Sequence, residues 1–151
     1  MKTIAIFASL ALAATAAPLD GTTDFKLCGT GTFTIKQLSY EPFPPKINNP
    51  VFSTSTGDLT APIVDGAKMT LTAKIGSMVV ATTVYDICKE AAKSGLNCPI
   101  APGTDIPLKS ELKFPEGVKP PPFVTINVHS EGVNADGSAL FCLDTTAKFV
   151  P

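Results

Sequence analysis

The run Ala67-Lys68-Met69-Thr70-Leu71-Thr72-Ala73-Lys74-Ile75 carries an apolar side chain at every odd position and a polar one at every even position. A period of two belongs to a strand with one buried face, because a helix would repeat its apolar residues every three or four. The pattern recurs outward from this stretch. Downstream, Ile106, Leu108, Leu112 and Phe114 are in phase, with Lys109, Glu111 and Lys113 on the opposite face. Val124, Ile126 and Val128 mark a further strand and put the only histidine, His129, on its outer side. Phe141, Leu143, Ala147 and Phe149 mark the last, with Cys142 pointing the other way. Upstream, Phe33 and Ile35 are out of step with Leu38 and Tyr40, which predicts a bulge near Lys36-Gln37. Met78 to Tyr85 is apolar on both faces for part of its length, which leaves its phase open, and the polar stretch Val51 to Ala61 reads as an edge strand. The one helical candidate is Ile87 to Ser94, stopped by Gly95. Roughly seven short strands, punctuated by 14 prolines and 11 glycines, predict an all-β chain: an immunoglobulin-like, two-sheet antiparallel β-sandwich.

The first residues read as a signal peptide over 1–16: Met1-Lys2 is basic, Ile4 to Ala14 apolar, and Ala14-Thr15-Ala16 a small-residue cleavage site. Residues 17–151 then form one domain with a real core. No later stretch approaches the roughly 18 apolar residues of a membrane span, so the expected product is a soluble monomer, secreted or in the lumen of a vacuole- or lysosome-like compartment. With Lys2 removed, eleven lysines face thirteen acidic side chains, and the chain has neither arginine nor tryptophan. Nucleic acid is a poor partner for such a surface, which lacks both the basic density and the stacking aromatics. No Asn-x-Ser/Thr sequon occurs.

Four cysteines, Cys28, Cys88, Cys98 and Cys142, allow three pairings, and spacing alone does not choose among them. Ease of local closure favours Cys88 with Cys98, which leaves Cys28 for Cys142. A zinc site would want close ligand pairs in a reducing compartment, and neither condition is met, so no metal and no cofactor are expected. Catalysis is not expected either. His129 has no evident acid partner, Gly29-Thr30-Gly31 lacks the helix that a phosphate-cradling loop needs, and Asp136-Gly137 reads as a hairpin turn.

Several segments, taken in order, resemble the lipid-recognition family known as ML domains, which includes the lysosomal Niemann-Pick cholesterol-transfer protein, the fungal phosphatidylglycerol/phosphatidylinositol transfer proteins and the group 2 mite allergens. Phe25-Lys26-Leu27-Cys28-Gly29 is similar to the family's opening cysteine segment, and Ile35 to Pro42 to its first long strand running into a proline turn. Asp65-Gly66-Ala67, Tyr85-Asp86-Ile87-Cys88 and Cys98-Pro99-Ile100 are similar to the fungal proteins, while Lys93 to Ile100 and Leu140-Phe141-Cys142 are close to the cholesterol carrier. Phe43-Pro44-Pro45 stands where that carrier has a further disulfide, and the segment between Cys88 and Cys98 is longer here. The resemblance implies the pairings Cys28–Cys142 and Cys88–Cys98, and a cavity between the sheets for a sterol or phospholipid ligand, with transient contact to membrane surfaces.

Alternation is silent on whether apolar faces meet as a filled core or part around a cavity. A cavity costs about 24 cal/mol per Å³, so a few hundred Å³ must be offset by cross-links or by occupancy. Two disulfides supply an offset, and the inward set (Met69, Ala73, Met78, Val80, Val84, Ala147) is soft and slim. By the resemblance, Met78, Val80, Val84, Phe114, Val118, Pro120, Pro121 and Phe123 lie along the entrance and upper wall. Phe33, Ile35, Met69, Leu71, Leu112, Ile126, Val128, Leu143 and Phe149 lie deeper. Lys113 and Lys119 flank the loop at the mouth, where they read either as headgroup contacts or as ordinary solvated lysines. The competing reading is a secreted interaction protein, elicitor- or allergen-like, with a closed core.

Overall fold

The computed structural model describes residues 23–151, so the signal-peptide reading lies outside the described residues. Eight strands and one short helix follow in the order β1 (Phe25–Gly29), β2 (Phe33–Glu41), β3 (Val51–Leu59), β4 (Lys68–Ile75), β5 (Met78–Asp86), α1 (Ile87–Ala92), β6 (Gly103–Leu112), β7 (Thr125–Val133) and β8 (Ala139–Lys148). They pair, all antiparallel, into a five-stranded sheet of order β1-β8-β7-β4-β5 and a three-stranded sheet of order β2-β3-β6. This is the sandwich expected from the period-two pattern, with one strand more than the sequence suggested.

The inner faces are those the alternation marked. Phe33, Ile35, Leu38 and Tyr40 of β2 are all buried, and the register slips between Ile35 and Gln37, so the bulge lets both halves of the strand face inward. Ile126, Leu140, Leu143, Ala147 and Phe149 pack opposite them. Phe33 meets Phe141 edge to face, centroids 6.2 Å apart. Two expectations are corrected. The stretch read as an edge strand is β3, the central strand of its sheet, paired to β2 on one side and β6 on the other. Of its polar side chains, Ser53 and Ser55 line a small cavity under α1, so its polarity does not mark an edge. In β5 an extra residue, Val80, enters between the pairs Ala73–Ala81 and Lys74–Val79 and sets the phase. Ala81, Thr83 and Tyr85 therefore point inward and Val84 points out to solvent.

The helix is six residues long and owes its place to tertiary contacts, since isolated helices of that length do not persist. Asp86 caps it by accepting from the Lys89 N–H at 3.0 Å, Ile87, Cys88 and Ala91 are buried beneath it, and Gly95 at φ +85° ends the turn that follows. The disulfides are Cys28–Cys142, which joins β1 to β8, and Cys88–Cys98, which closes the loop around α1.

Candidate functional site

The strand orders leave β5 and β6 as the free edges on one side of the sandwich. The opposite side is stitched: Thr23 N–H donates to Leu38 O at 3.0 Å, and Thr32 N–H to Ala139 O at 3.1 Å. One end is stitched too, where Lys46 bridges to Val150 and the Val150 N–H donates to Pro45 O at 2.9 Å. Between β5 and β6 no ladder forms. A cavity lies just inside that seam, lined by Leu71 and Ala73 of β4, Ala81, Thr83 and Tyr85 of β5, Leu112 of β6 and Phe114 beyond it, with Tyr40, Val128, Ala147 and Phe149 behind. Its wall is almost wholly apolar. Phe114 and Phe149 meet edge to face at 5.4 Å and form one end of it.

The cavity encloses about 30 Å³, and a second of about 30 Å³ lies under α1 among Ser53, Ser55, Met69, Leu108 and Phe141. Each has room for a water or two but not for a hydrocarbon tail. The expectation of walls standing a few hundred Å³ apart is corrected: the sheets are in contact. The physical reason is the cavity penalty, which at this size is only about 0.7 kcal/mol but would reach several kcal/mol for a lipid-sized void. Slim residues such as Ala73, Ala81 and Ala147 let the sheets approach and settle together.

Leu71, Leu112, Phe114, Val128 and Phe149, all singled out from the sequence, are brought together at the seam cavity, and Met69 lies on the second. Phe33, Ile35, Ile126 and Leu143 are packed into the filled core instead, bordering neither cavity. Val80, Val118 and Pro121 are half-buried, and Pro120 is buried. Met78 and Phe123 are 62% and 63% exposed, so they stand on the rim and not in a wall, and Val84 lies on the outer face. Sequence reasoning missed Tyr40, Thr83, Tyr85 and Ala81. The alternation signalled Tyr40, whereas the inward phase of the other three follows from the Val80 insertion, which no local residue type announces.

The polar groups on the cavity wall are two phenols, a hydroxyl and one peptide. Burial pushes the Tyr40 phenol up to about 12, against the opposing hydrogen bond with Thr145. Tyr85 is raised mainly by burial as well, so both rings stay neutral at physiological pH. Tyr85 Oη accepts from the Lys113 N–H at 2.9 Å, and its O–H is 3.3 Å from the Lys113 carbonyl, to which it donates.

At the stitched end of the sandwich, next to the Phe114–Phe149 pair, the loops gather exposed apolar side chains: Phe43, Met78, Val79 and Phe123. Phe123 holds the left-handed backbone region at φ +62°, its N–H donating to Phe149 O at 2.8 Å. The strand ends and loops at this end also carry Lys46, Lys74, Lys113, Lys119 and Lys148, together with Glu41, Glu111 and Glu116.

A family model described as the ML domain matches residues 22–149. A phosphatidylglycerol/phosphatidylinositol transfer protein of Mycosarcoma maydis is 29% identical over 126 residues, covering 81% of this chain and 63% of that protein. One of the same name from Aspergillus oryzae is 30% identical over 109 residues, covering 72% and 60%. The chain thus spans less than two thirds of the length of these relatives. The crystal structure of a Niemann-Pick type C2 protein from the Japanese carpenter ant superposes with a TM-score of 0.62 at 14% identity, over 83% of this chain and 98% of the other, which is a likeness of fold. On the family match, which takes in nearly every described residue, the chain belongs to the ML-domain family.

Proposed function

We propose that the chain is a lipid carrier of the secretory route, secreted or lumenal, that takes a sterol or phospholipid between its two sheets and passes it between membranes. The observation that carries this reading is the apolar cavity set directly behind an unladdered seam in an ML-domain sandwich. Each methylene moved from water into such a site gains about 0.8 kcal/mol, but it already has that in a bilayer. Extraction is then close to balance, which suits a carrier that must release its cargo. Cys28–Cys142 fixes β1 to β8 within one sheet and Cys88–Cys98 fixes the loop around α1, so neither bridge ties β5 to β6 across the seam that must part. The end that gathers Phe43, Met78 and Phe123 among five lysines supports transient docking of a monomer on a membrane, where aromatic insertion and attraction to anionic headgroups reinforce each other.

One observation favours a second reading, a secreted interaction protein with a closed core: the interior cavities measure only about 30 Å³ each. Native mass spectrometry of the purified protein, with uptake of a fluorescent phospholipid and a fluorescent sterol, separates the two. The carrier reading expects a stoichiometric lipid adduct or saturable uptake of one probe. Neither adduct nor uptake, in the presence of vesicles, overturns it in favour of the closed core.

A further inference from the structure

Resting on the carrier reading, we infer that Tyr85 is the latch of the seam and sets the rate at which lipid passes it. The edges β5 and β6 exchange no ladder bonds. Among the described residues, the hydrogen bonds that run from β5 and α1 to β6 and the residue after it are three. Two are made by Tyr85 with Lys113, and the third joins the Glu111 N–H to Glu90 of α1 at 3.3 Å. The Glu90 bond, from the middle of α1, borders a separate groove with Phe52, Lys93 and Ser110 and does not line the seam cavity. Tyr85 and Lys113 both lie on the cavity wall itself.

The phenol is well suited to this role. Its ring comes from the inward face of one sheet and its hydroxyl satisfies both polar groups of a residue at the margin of the other. Lys113 directly precedes Phe114, whose ring packs on Phe149, so releasing Lys113 frees the segment that closes the cavity. The released groups do not become buried orphans: the Lys113 side chain is 62% exposed, and water reaches its peptide as the edge moves out. Parting the sheets here releases two hydrogen bonds that a single side chain makes, and some apolar contact, whereas the β1–β2 side is joined main chain to main chain at two separate points.

The test is Tyr85→Phe, which keeps the ring and removes both bonds, compared with Glu90→Ala, which removes the other cross-edge bond. Stopped-flow transfer of a fluorescent phospholipid from vesicles should accelerate roughly tenfold in Tyr85→Phe, uptake and release together, the range expected for two neutral hydrogen bonds. Glu90→Ala should stay within about twofold of the native rate. Amide exchange of Phe114 and the β5 residues, measured on the native-like variant without lipid, should rise in Tyr85→Phe and not in Glu90→Ala. Native rates in Tyr85→Phe, or equal acceleration in both variants, would overturn the latch. If the unmodified protein takes up no lipid, the carrier reading fails, and unchanged exchange at Phe114 separately removes the latch.

Discussion

Gly132 of β7 lies directly beneath the ring of Phe141, its partner on β8, so closely that a Cβ at 132 would overlap the ring edge. The ring fills the place a side chain at 132 would take, and it is 8% exposed there. Gly132→Ala should therefore destabilise the fold by roughly 1–3 kcal/mol, the ordinary cost of overpacking. Gly103→Ala is the comparison, since a Cβ there meets only Ile106 at ordinary contact distance. It should be neutral or slightly stabilising. Urea midpoints of the two variants check this, and equal shifts would refute it.

Phe123 combines a left-handed backbone with an exposed ring, which separates its structural cost from its use. In Phe123→Gly, relief of about 1–2 kcal/mol of backbone strain is offset by glycine's extra freedom in the unfolded chain, about 0.5–1 kcal/mol. The melting temperature should stay within a few degrees. Cosedimentation with phosphatidylglycerol vesicles should weaken roughly tenfold or more, as expected when one inserting phenyl is lost. Undiminished vesicle binding would remove this residue from the docking face.

His129, for which the sequence showed no acid partner, is held between two carboxylates brought to it by the sheet, Nδ1 at 2.6 Å from Asp144 of β8 and Nε2 at 3.3 Å from Glu131. The hydrogen bond with Asp144 is the chief cause that raises its pKa above the ordinary 6.5. A raised imidazole pKa stabilises the fold fully below the unfolded value, near pH 6.5, and the contribution is lost as pH rises through the folded value. The stability gap between the native chain and His129→Gln should therefore be widest in mild acid and shrink with rising pH. Denaturation midpoints at pH 5.5 and pH 8.5, roughly a unit or more either side of the ordinary value, test it. A gap that widens on the alkaline side contradicts the pairing.

The two bridges close loops of very different length, with sequence separations of 114 and 10. Chain entropy assigns about 5 kcal/mol to the long one and about 3 kcal/mol to the short one. The double variant Cys28→Ser/Cys142→Ser should accordingly lose about 2 kcal/mol more stability than Cys88→Ser/Cys98→Ser. Equilibrium unfolding of both checks the order, and the reverse order would show that native packing around α1 outweighs loop length.

Most of the sandwich was legible because its inner faces obey strict alternation. The stretch Ala67 to Ile75 became β4 from Lys68 on, and the broken phase around Lys36-Gln37 became a bulge, whereas the helix expected to reach Ser94 stopped at Ala92, with Gly95 ending the turn after it. Where the reading failed, the deciding contact was remote. Val84 was assigned inward because nothing in Met78 to Tyr85 reveals that Val80 is the residue without a partner; that depends on which residue of β4 stands opposite. The central place of β3 likewise depends on β6, some fifty residues away. Of the site, the apolar wall residues Leu71, Leu112, Phe114, Val128 and Phe149 followed from phase and from family resemblance. Tyr85 did not, because its role comes from a hydroxyl meeting a peptide 28 residues later across a gap between sheets. The distance between the sheets was not legible at all, since filled and parted sandwiches bury the same side chains.

Among the described residues, β1 pairs with β8 alone, so it must wait for that last strand to be synthesised before it can dock. The consequence is temporal. Cys88 and Cys98 can pair as soon as their short loop has been made, while Cys28 has no partner until Cys142 has been added. During that interval any premature bond from Cys28 to Cys88 or Cys98 has to be exchanged before β1 can dock on β8.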